Sequence, residues 1–174
     1  MTADELLRLD LPDKRTELVR GRLLVREPAG ARQGGVAIRL GRRLLDHVEE
    51  TRAGRLYSTD TGFKIAKDPD TVRAPDLAFV SAGRLPDRDP ETFLELAPDL
   101  VVEVLGRGNR PGQVRKRVAQ FLAAGSRLVW VLDPRREVAH VHRADGSESV
   151  LGIGEALSGE GVLPGFRCAL ADLF

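Results

Sequence analysis

The chain has 174 residues and a mass of 19.0 kDa, a length that suits one domain of about 100–200 residues. We therefore predict a single domain over residues 1–174. Its 27 Lys and Arg residues against 26 Asp and Glu residues leave a formal net charge of +1, which excludes a strongly basic coat for nucleic acid and an acidic tail. The single cysteine, Cys168, excludes an internal disulfide and a multi-cysteine metal site.

The start of the chain, MTADELLRLDLPDKR, lacks the basic-then-apolar pattern of a signal sequence. Apolar runs also stay well short of the roughly 18 residues that a membrane span needs. We therefore expect a cytoplasmic protein without a membrane partner.

The first elements are predicted to be a short helix and a hairpin. Thr2 and Glu5 have the spacing of a capping box, which opens a helix through Leu9, and Pro12 is expected to end it. Residues 17–27 predict two strands around a turn at Arg20 and Gly21, followed by a loop over residues 28–35.

A long amphipathic helix is predicted next, because apolar residues recur every four positions from Val36 through Leu40, Leu44 and Val48. Gly54 is expected to close this helix. A strand that could bend at Gly62 follows over residues 56–65, and a short strand follows Pro75 over residues 76–80.

The second half of the chain predicts two buried strands with a helix between them. The loop over residues 83–98 carries three prolines. The strands are residues 100–105 (LVVEVL) and 128–132 (LVWVL), and the helix is residues 113–124. Residues 138–143 should pair with the second strand, and short strands and a final turn should follow from Ser147. This order of elements indicates a mixed α/β sheet with covering helices.

Two carboxylates are candidates for chemistry. Asp76 begins a strand, and Glu103 lies inside a strand on the face of Val101 and Leu105, since strand side chains alternate. Burying an unpaired carboxylate is costly, so Glu103 would lie at an exposed strand edge, pair with an arginine, or bind a metal. If the two strands pair, both acids could reach one divalent ion. Mg²⁺ prefers such oxygen ligands, and it suits phosphodiester hydrolysis.

The order Pro75-Asp76, then Glu103 in a hydrophobic strand, then a basic helix resembles the PD-(D/E)XK nuclease superfamily. More closely, the chain resembles the putative restriction endonuclease family, a Uma-type domain of unknown function. The resemblance covers nearly the whole chain and also includes the segments ELVRG (17–21), PDLAFV (75–80), PDLVVEVL (98–105), FLAAG (121–125), VWVLDP (129–134) and LPGF (163–166). It implies a restriction-endonuclease-like core, with a central mixed β-sheet flanked by helices, an N-terminal hairpin and C-terminal short strands.

The resemblance also implies roles for particular residues. Asp76 and Glu103 would be the ligands of Mg²⁺ or Mn²⁺, and the main-chain carbonyl of Val104 would be a third. Glu17 matches an acidic position that the superfamily often uses as an auxiliary ligand. The alternative for Glu17 is an exposed acid at a strand end.

Three positions depart from the pattern of the resembling proteins. The superfamily lysine two residues after the Glu is replaced by Leu105. In this family the lysine is expected on the following helix, where helical geometry and the distance to Gly125 place Arg117. Arginine cannot be deprotonated, so Arg117 could stabilise phosphate charge but not act as a base. Gln33 stands where relatives tend to carry histidine, and would support metal or water; Gly106 stands where they often carry serine.

These observations predict a metal-dependent endonuclease that hydrolyses DNA phosphodiester bonds. A near-zero net charge implies that DNA is held in a focused cleft with modest salt dependence. The resemblance also suggests a homodimer. The alternative is a catalytically impaired module that binds nucleic acid or a protein partner, and a third hypothesis is an acid-pair hydrolase of another phosphoester.

Overall fold

The computed structural model describes residues 1–11 and 14–174; Pro12, which was expected to end the first helix, lies outside them. Within the described residues the helices are α1 (Ala3–Leu7), α2 (Ala31–Thr51) and α3 (Pro111–Ala123). The strands are β1 (Arg15–Val19), β2 (Arg22–Arg26), β3 (Gly54–Ser58), β4 (Phe63–Ala66), β5 (Thr71–Arg73), β6 (Leu77–Ser81), β7 (Leu100–Val104), β8 (Leu128–Asp133), β9 (Val138–Arg143), β10 (Glu148–Leu151), β11 (Ala156–Ser158) and β12 (Arg167–Ala169). None of these helices has the length and hydropathy that a bilayer span requires.

The main sheet has six strands in the order β10-β9-β8-β7-β6-β3. The pair β7 and β8 is parallel, and the other neighbours in this sheet are antiparallel. A parallel pair needs a long crossover, and α3 provides it. The predicted fold class, a central mixed sheet with flanking helices, is confirmed.

Helices cover both faces of the main sheet. On one face, α2 places its four-residue repeat against the sheet, and Val36, Leu40, Leu44 and Val48 are at most 2% exposed. Complete burial of such a side chain contributes about 1.5–3 kcal/mol. On the other face, α3 covers β7 and β8 with Val118 and Phe121 as its buried apolar residues.

A smaller sheet has the order β2-β1-β5-β4. Its hairpin turns at Arg20 and Gly21, which both have positive φ (49° and 73°), as short hairpin turns require. The central strand β5 ends at Arg73, and β6 of the main sheet begins at Leu77. The chain therefore crosses between the two sheets at residues 74–76, and Asp76 is the last residue of this crossing.

Several predicted boundaries were wrong. Helix α2 begins at Ala31, inside the predicted loop, and ends with Arg52 in the left-handed conformation (φ 53°). Gly54 is therefore not the helix cap, but the first residue of β3. Residues 56–65 do not form one strand, because β3 pairs in the main sheet whereas β4 pairs in the small one. Strand β5 had no counterpart among the predicted elements.

Gly54 is required by the close approach of β3 to β6. A Cβ atom at this position would overlap the carbonyl oxygen of Val80 and lie 2.9 Å from Cα of Ser81. Gly54→Ala should therefore lower the free energy of unfolding by about 1–3 kcal/mol, as overpacking does. Urea denaturation would measure this loss. The control is Gly83→Ala, which places its Cβ where no atom lies within 4 Å. Its free energy of unfolding should stay within about 0.5 kcal/mol of that of the original protein. Equal stability of the two variants would contradict the packing argument.

Candidate active site

A groove of about 1550 Å³ runs between the β1–β2 hairpin, the start of α2, residues 105–109 and α3. Among the described residues, nine basic and five acidic side chains line it, a net charge of +4 against +1 for the whole chain. The basic residues are Lys14, Arg15, Arg26, Arg32, Arg73, Arg107, Lys116, Arg117 and Arg135. The acidic residues are Glu17, Glu27, Asp60, Asp76 and Glu103. The positive charge of the chain is therefore concentrated at this groove.

The two acids that the sequence singled out meet in this groove. Strands β6 and β7 pair with Leu77 opposite Val102, so that continuing the antiparallel register places Asp76 opposite Glu103. Residues directly opposite each other in such a pair have Cβ atoms about 5 Å apart. The main-chain N–H of Val104 donates to Asp76 Oδ2 at 2.7 Å, which fixes the Asp76 carboxylate against the end of β7.

Both carboxylates have raised pKa values. Burial, opposed by Arg117 and reinforced by the charge of Asp76, raises the pKa of Glu103 to about 7. Burial also raises the pKa of Asp76, against the Val104 hydrogen bond and the charges of Arg26 and Arg117. The two net upward shifts mean that the ionised forms are disfavoured, so additional positive charge at the acid pair would be stabilising.

Arg117 is the principal counter-ion of the buried acids. Its Nε donates to Glu103 Oε1 at 2.6 Å, its Nη1 to Glu17 at 2.7 Å, and its Nη2 to the carbonyl oxygen of Ala74 at 2.8 Å. The residue is 7% exposed. Burial alone would lower the pKa of Arg117, but Glu103 and Glu17 outweigh it and raise that pKa. All three nitrogens of the guanidinium are thus directed at the protein.

Glu17 is buried at 2% exposure, so the alternative interpretation, an exposed acid at a strand end, is wrong. Besides Arg117, it accepts from Arg73 Nη1 at 3.0 Å and from the main-chain N–H of Ala74 at 2.9 Å. Burial alone would raise the pKa of Glu17, but Arg117, Arg73 and Arg26 hold it below its usual value. Because donors already engage both oxygens, Glu17 acts here as an anchor for arginines.

Arg73 and Gln120 complete this buried network, and sequence reasoning missed both. The Arg73 guanidinium donates to Gln120 Oε1 through Nε at 3.1 Å and also through Nη2. Gln120 lies on α3 one turn beyond Arg117, so it ties the helix to the small sheet. One sequence feature pointed to Arg73, which stands only three residues before the candidate ligand Asp76.

Gln33 and Gly106, two of the three positions that depart from the family pattern, lie next to each other. The Gln33 side chain lowers the pKa of the Asp76 carboxyl slightly, against the larger effect of burial. A Cβ atom at Gly106 would lie 2.5 Å from Gln33 Oε1. The absence of a side chain at residue 106 therefore makes the room in which the Gln33 amide reaches the acid pair.

The donor set fits a hard divalent ion. In residues 1–11 and 14–174, no group of three or more His, Cys, Asp or Glu side chains is arranged to hold a metal. Mg²⁺ commonly uses one or two carboxylates, with water and phosphate oxygens as its other ligands. Glu103 Oε2 accepts no hydrogen bond from the described part of the chain. Val104 contacts Asp76 through its main-chain N–H; the metal ligand that the family resemblance implied is its carbonyl, and this stays a prediction.

His140 and His142 lie outside this groove. Both are on β9, where His140 Nδ1 is 3.2 Å and His142 Nδ1 is 3.5 Å from the Glu148 carboxylate. Burial lowers the pKa of His142. These contacts hold β10 to β9 and contribute nothing to the acid pair.

Comparison with a solved structure gives the class of fold. The crystal structure of a putative nuclease belonging to DUF820, from Anabaena variabilis ATCC 29413, has 20% sequence identity and a TM-score of 0.85, and the match covers 100% of this chain and 97% of that one. This similarity confirms the predicted nuclease-like α/β fold. The Uma2 family model, described as putative restriction endonuclease, matches residues 3–171. The chain belongs to this family, as its sequence motifs suggested. A search of curated proteins found no match.

Proposed function

We propose that this protein is a metal-dependent endonuclease that hydrolyses DNA phosphodiester bonds. The observation that carries the proposal is the pairing of Asp76 with Glu103 in a groove of net charge +4. A carboxylate pair can hold a hard divalent ion, and the surrounding cations can hold a polyanion. Neither feature alone would indicate a nuclease. Hydrolysis of a phosphodiester in DNA requires both a site for the metal ion and a surface that holds the polyanion.

In this proposal Asp76 and Glu103 hold Mg²⁺ or Mn²⁺, together with the Val104 carbonyl. The bound ion would neutralise phosphate charge and lower the pKa of the attacking water. Arg117 favours the ionised form of the buried Glu103 through its 2.6 Å hydrogen bond, and a bound divalent ion would favour that form further. The Gln33 amide, which lines the same groove, would support the metal ion or its bound water.

One acid pair serves one strand of a duplex. Cleavage of both strands by one complex would require two copies of the site, and we therefore propose a homodimer as the form that cuts duplex DNA. Single-strand nicks from a monomer and double-strand breaks from a dimer would be distinguished by the products formed from a supercoiled plasmid.

The test is cleavage of supercoiled plasmid by the purified protein. We expect nicked or linear product with Mg²⁺ or Mn²⁺ and none with a chelator, because the acid pair alone cannot lower the pKa of water sufficiently. Restoring the ion should restore cleavage. Equal cleavage with and without chelator would contradict the proposed metal dependence.

A second candidate function is a module that binds nucleic acid or a protein partner without cutting. The observation in its favour is that each of the three guanidinium nitrogens of Arg117 already donates a hydrogen bond, to Glu103 Oε1, to Glu17 or to the Ala74 carbonyl. Arg117→Lys separates the two functions, since lysine has a single nitrogen and can release a proton. If this change creates cleavage in a protein that otherwise has none, the natural chain is an impaired nuclease.

A further inference from the structure

The ends of β7 and β8 lie side by side at one edge of the main sheet. The two strands are parallel, with Val104 paired to Leu132, and the N–H of Leu105 donates to the Leu132 carbonyl at 2.8 Å. The segments that follow both strands contribute residues to the groove. In open α/β sheets, ligands bind outside the carboxyl ends of the strands.

Each of these segments holds one arginine on an ordered turn. After β7, Asn109 Oδ1 accepts from the N–H of Gly106 at 2.6 Å, so Arg107 stands at the tip of a closed turn. After β8, Asp133 Oδ1 accepts from the N–H of Arg135 at 3.0 Å. Backbone positions that are fixed in this way reduce the entropy lost when a ligand binds.

Across residues 1–11 and 14–174, some arginines at this edge form salt bridges with carboxylates, and others do not. Arg32 pairs with Glu137 at 3.3 Å, and Arg136 pairs with Asp133 at 3.4 Å. Arg107 and Arg135 are exposed, line the groove, and form no salt bridge within the described residues. Arg32 also lines the groove but is paired, and Arg136, next in sequence to Arg135, does not line it. Arg107 and Arg135 are therefore the arginines of this edge that face the groove without a carboxylate partner in the described part of the chain.

From this arrangement we infer that Arg107 and Arg135 form a phosphate-binding site for the nucleic-acid backbone beside the acid pair. The inference rests on the proposed function and adds the residues that hold the substrate. Arginine binds phosphate through two parallel hydrogen bonds. Because Arg117 is occupied by the buried acids, these two side chains provide the guanidinium groups that can reach phosphates next to the one being cut.

The test measures DNA binding without hydrolysis. Fluorescence anisotropy of a labelled DNA duplex is followed against salt concentration in buffer that contains a chelator. Each lost phosphate contact makes the slope of log K against log salt shallower by about 0.9. The slope for the double variant Arg107→Gln/Arg135→Gln should therefore be shallower by about 1.8. The matched control is Arg52→Gln/Arg167→Gln, which removes the same charge from exposed arginines outside the groove and should keep the original slope.

A shallower slope in the groove variant alone would support the inference. An unchanged slope in the groove variant, or an equal change in both variants, would overturn it, as would no binding by the original protein. Competition by poly-glutamate as effective as by DNA would also overturn it, because a general polyanion site has no preference for phosphate. If slope and binding behave as expected but plasmid is not cleaved, the proposed nuclease fails and the binding site stands. If cleavage requires the acid pair but the slope is unchanged in the groove variant, the proposed nuclease stands and the inferred phosphate-binding site fails.

Discussion

Asp76→Asn and Glu103→Gln are each expected to lower plasmid cleavage by at least about a hundredfold, since even the loss of a group behind the metal ligands commonly costs 10–100-fold. Both changes keep the size of the side chain and remove its negative charge. A neutral amide cannot attract a divalent ion as a carboxylate does. In the Glu103→Gln variant the amide oxygen could still accept the Arg117 hydrogen bond, so the fold should survive.

The control for these variants is Glu50→Gln, which removes the same charge from an exposed residue near the far end of α2. It should cleave at the original rate. Thermal melting of all the variants would show that the fold is retained. Cleavage that survives both Asp76→Asn and Glu103→Gln would mean that hydrolysis takes place elsewhere.

Arg117→Ala should lower the free energy of unfolding by about 3–5 kcal/mol, the usual cost of removing one partner from a buried ion pair. The substitution would leave Glu17 and Glu103, which are 2% and 5% exposed, without their shared counter-ion. Arg73 would still contact Glu17 at 3.0 Å. Glu103 would keep no salt bridge in the described part of the chain, so most of the loss should arise there.

Lys116→Ala on the same helix is the matched control, because Lys116 is exposed and forms no salt bridge among the described residues. It should change stability by less than about 0.5 kcal/mol. Denaturant unfolding of both variants would measure the difference. A loss below about 1 kcal/mol for Arg117→Ala would show that the network contributes little to folding.

Much of the fold was predictable because it depends on local patterns. The four-residue repeat from Val36 to Val48 is a direct consequence of helical geometry, and the apolar runs of β7 and β8 require burial on both faces. The positions of Asp76 and Glu103 relative to those strands were also readable. Their meeting required one further condition, the antiparallel pairing of β6 with β7.

The ion-pair network was not predictable, because it depends on contacts between residues far apart in the chain. Arg117 contacts Glu17 across 100 positions, and Arg73 contacts Glu17 across 56. Apart from its position three residues before Asp76, nothing in the local pattern distinguishes Arg73 from the other arginines. Strand β5, with three residues, is too short to show alternation. Gly54 was misassigned for the same reason, since its requirement comes from Val80 on a neighbouring strand.

The most direct test of the central claim, that Asp76 and Glu103 together bind one divalent ion, is calorimetric titration of the purified protein with Mg²⁺ and with Mn²⁺. We expect one site per chain, absent in Asp76→Asn and in Glu103→Gln and retained in Glu50→Gln. Absence of binding by the original protein, or undiminished binding by both acid-pair variants, would contradict it.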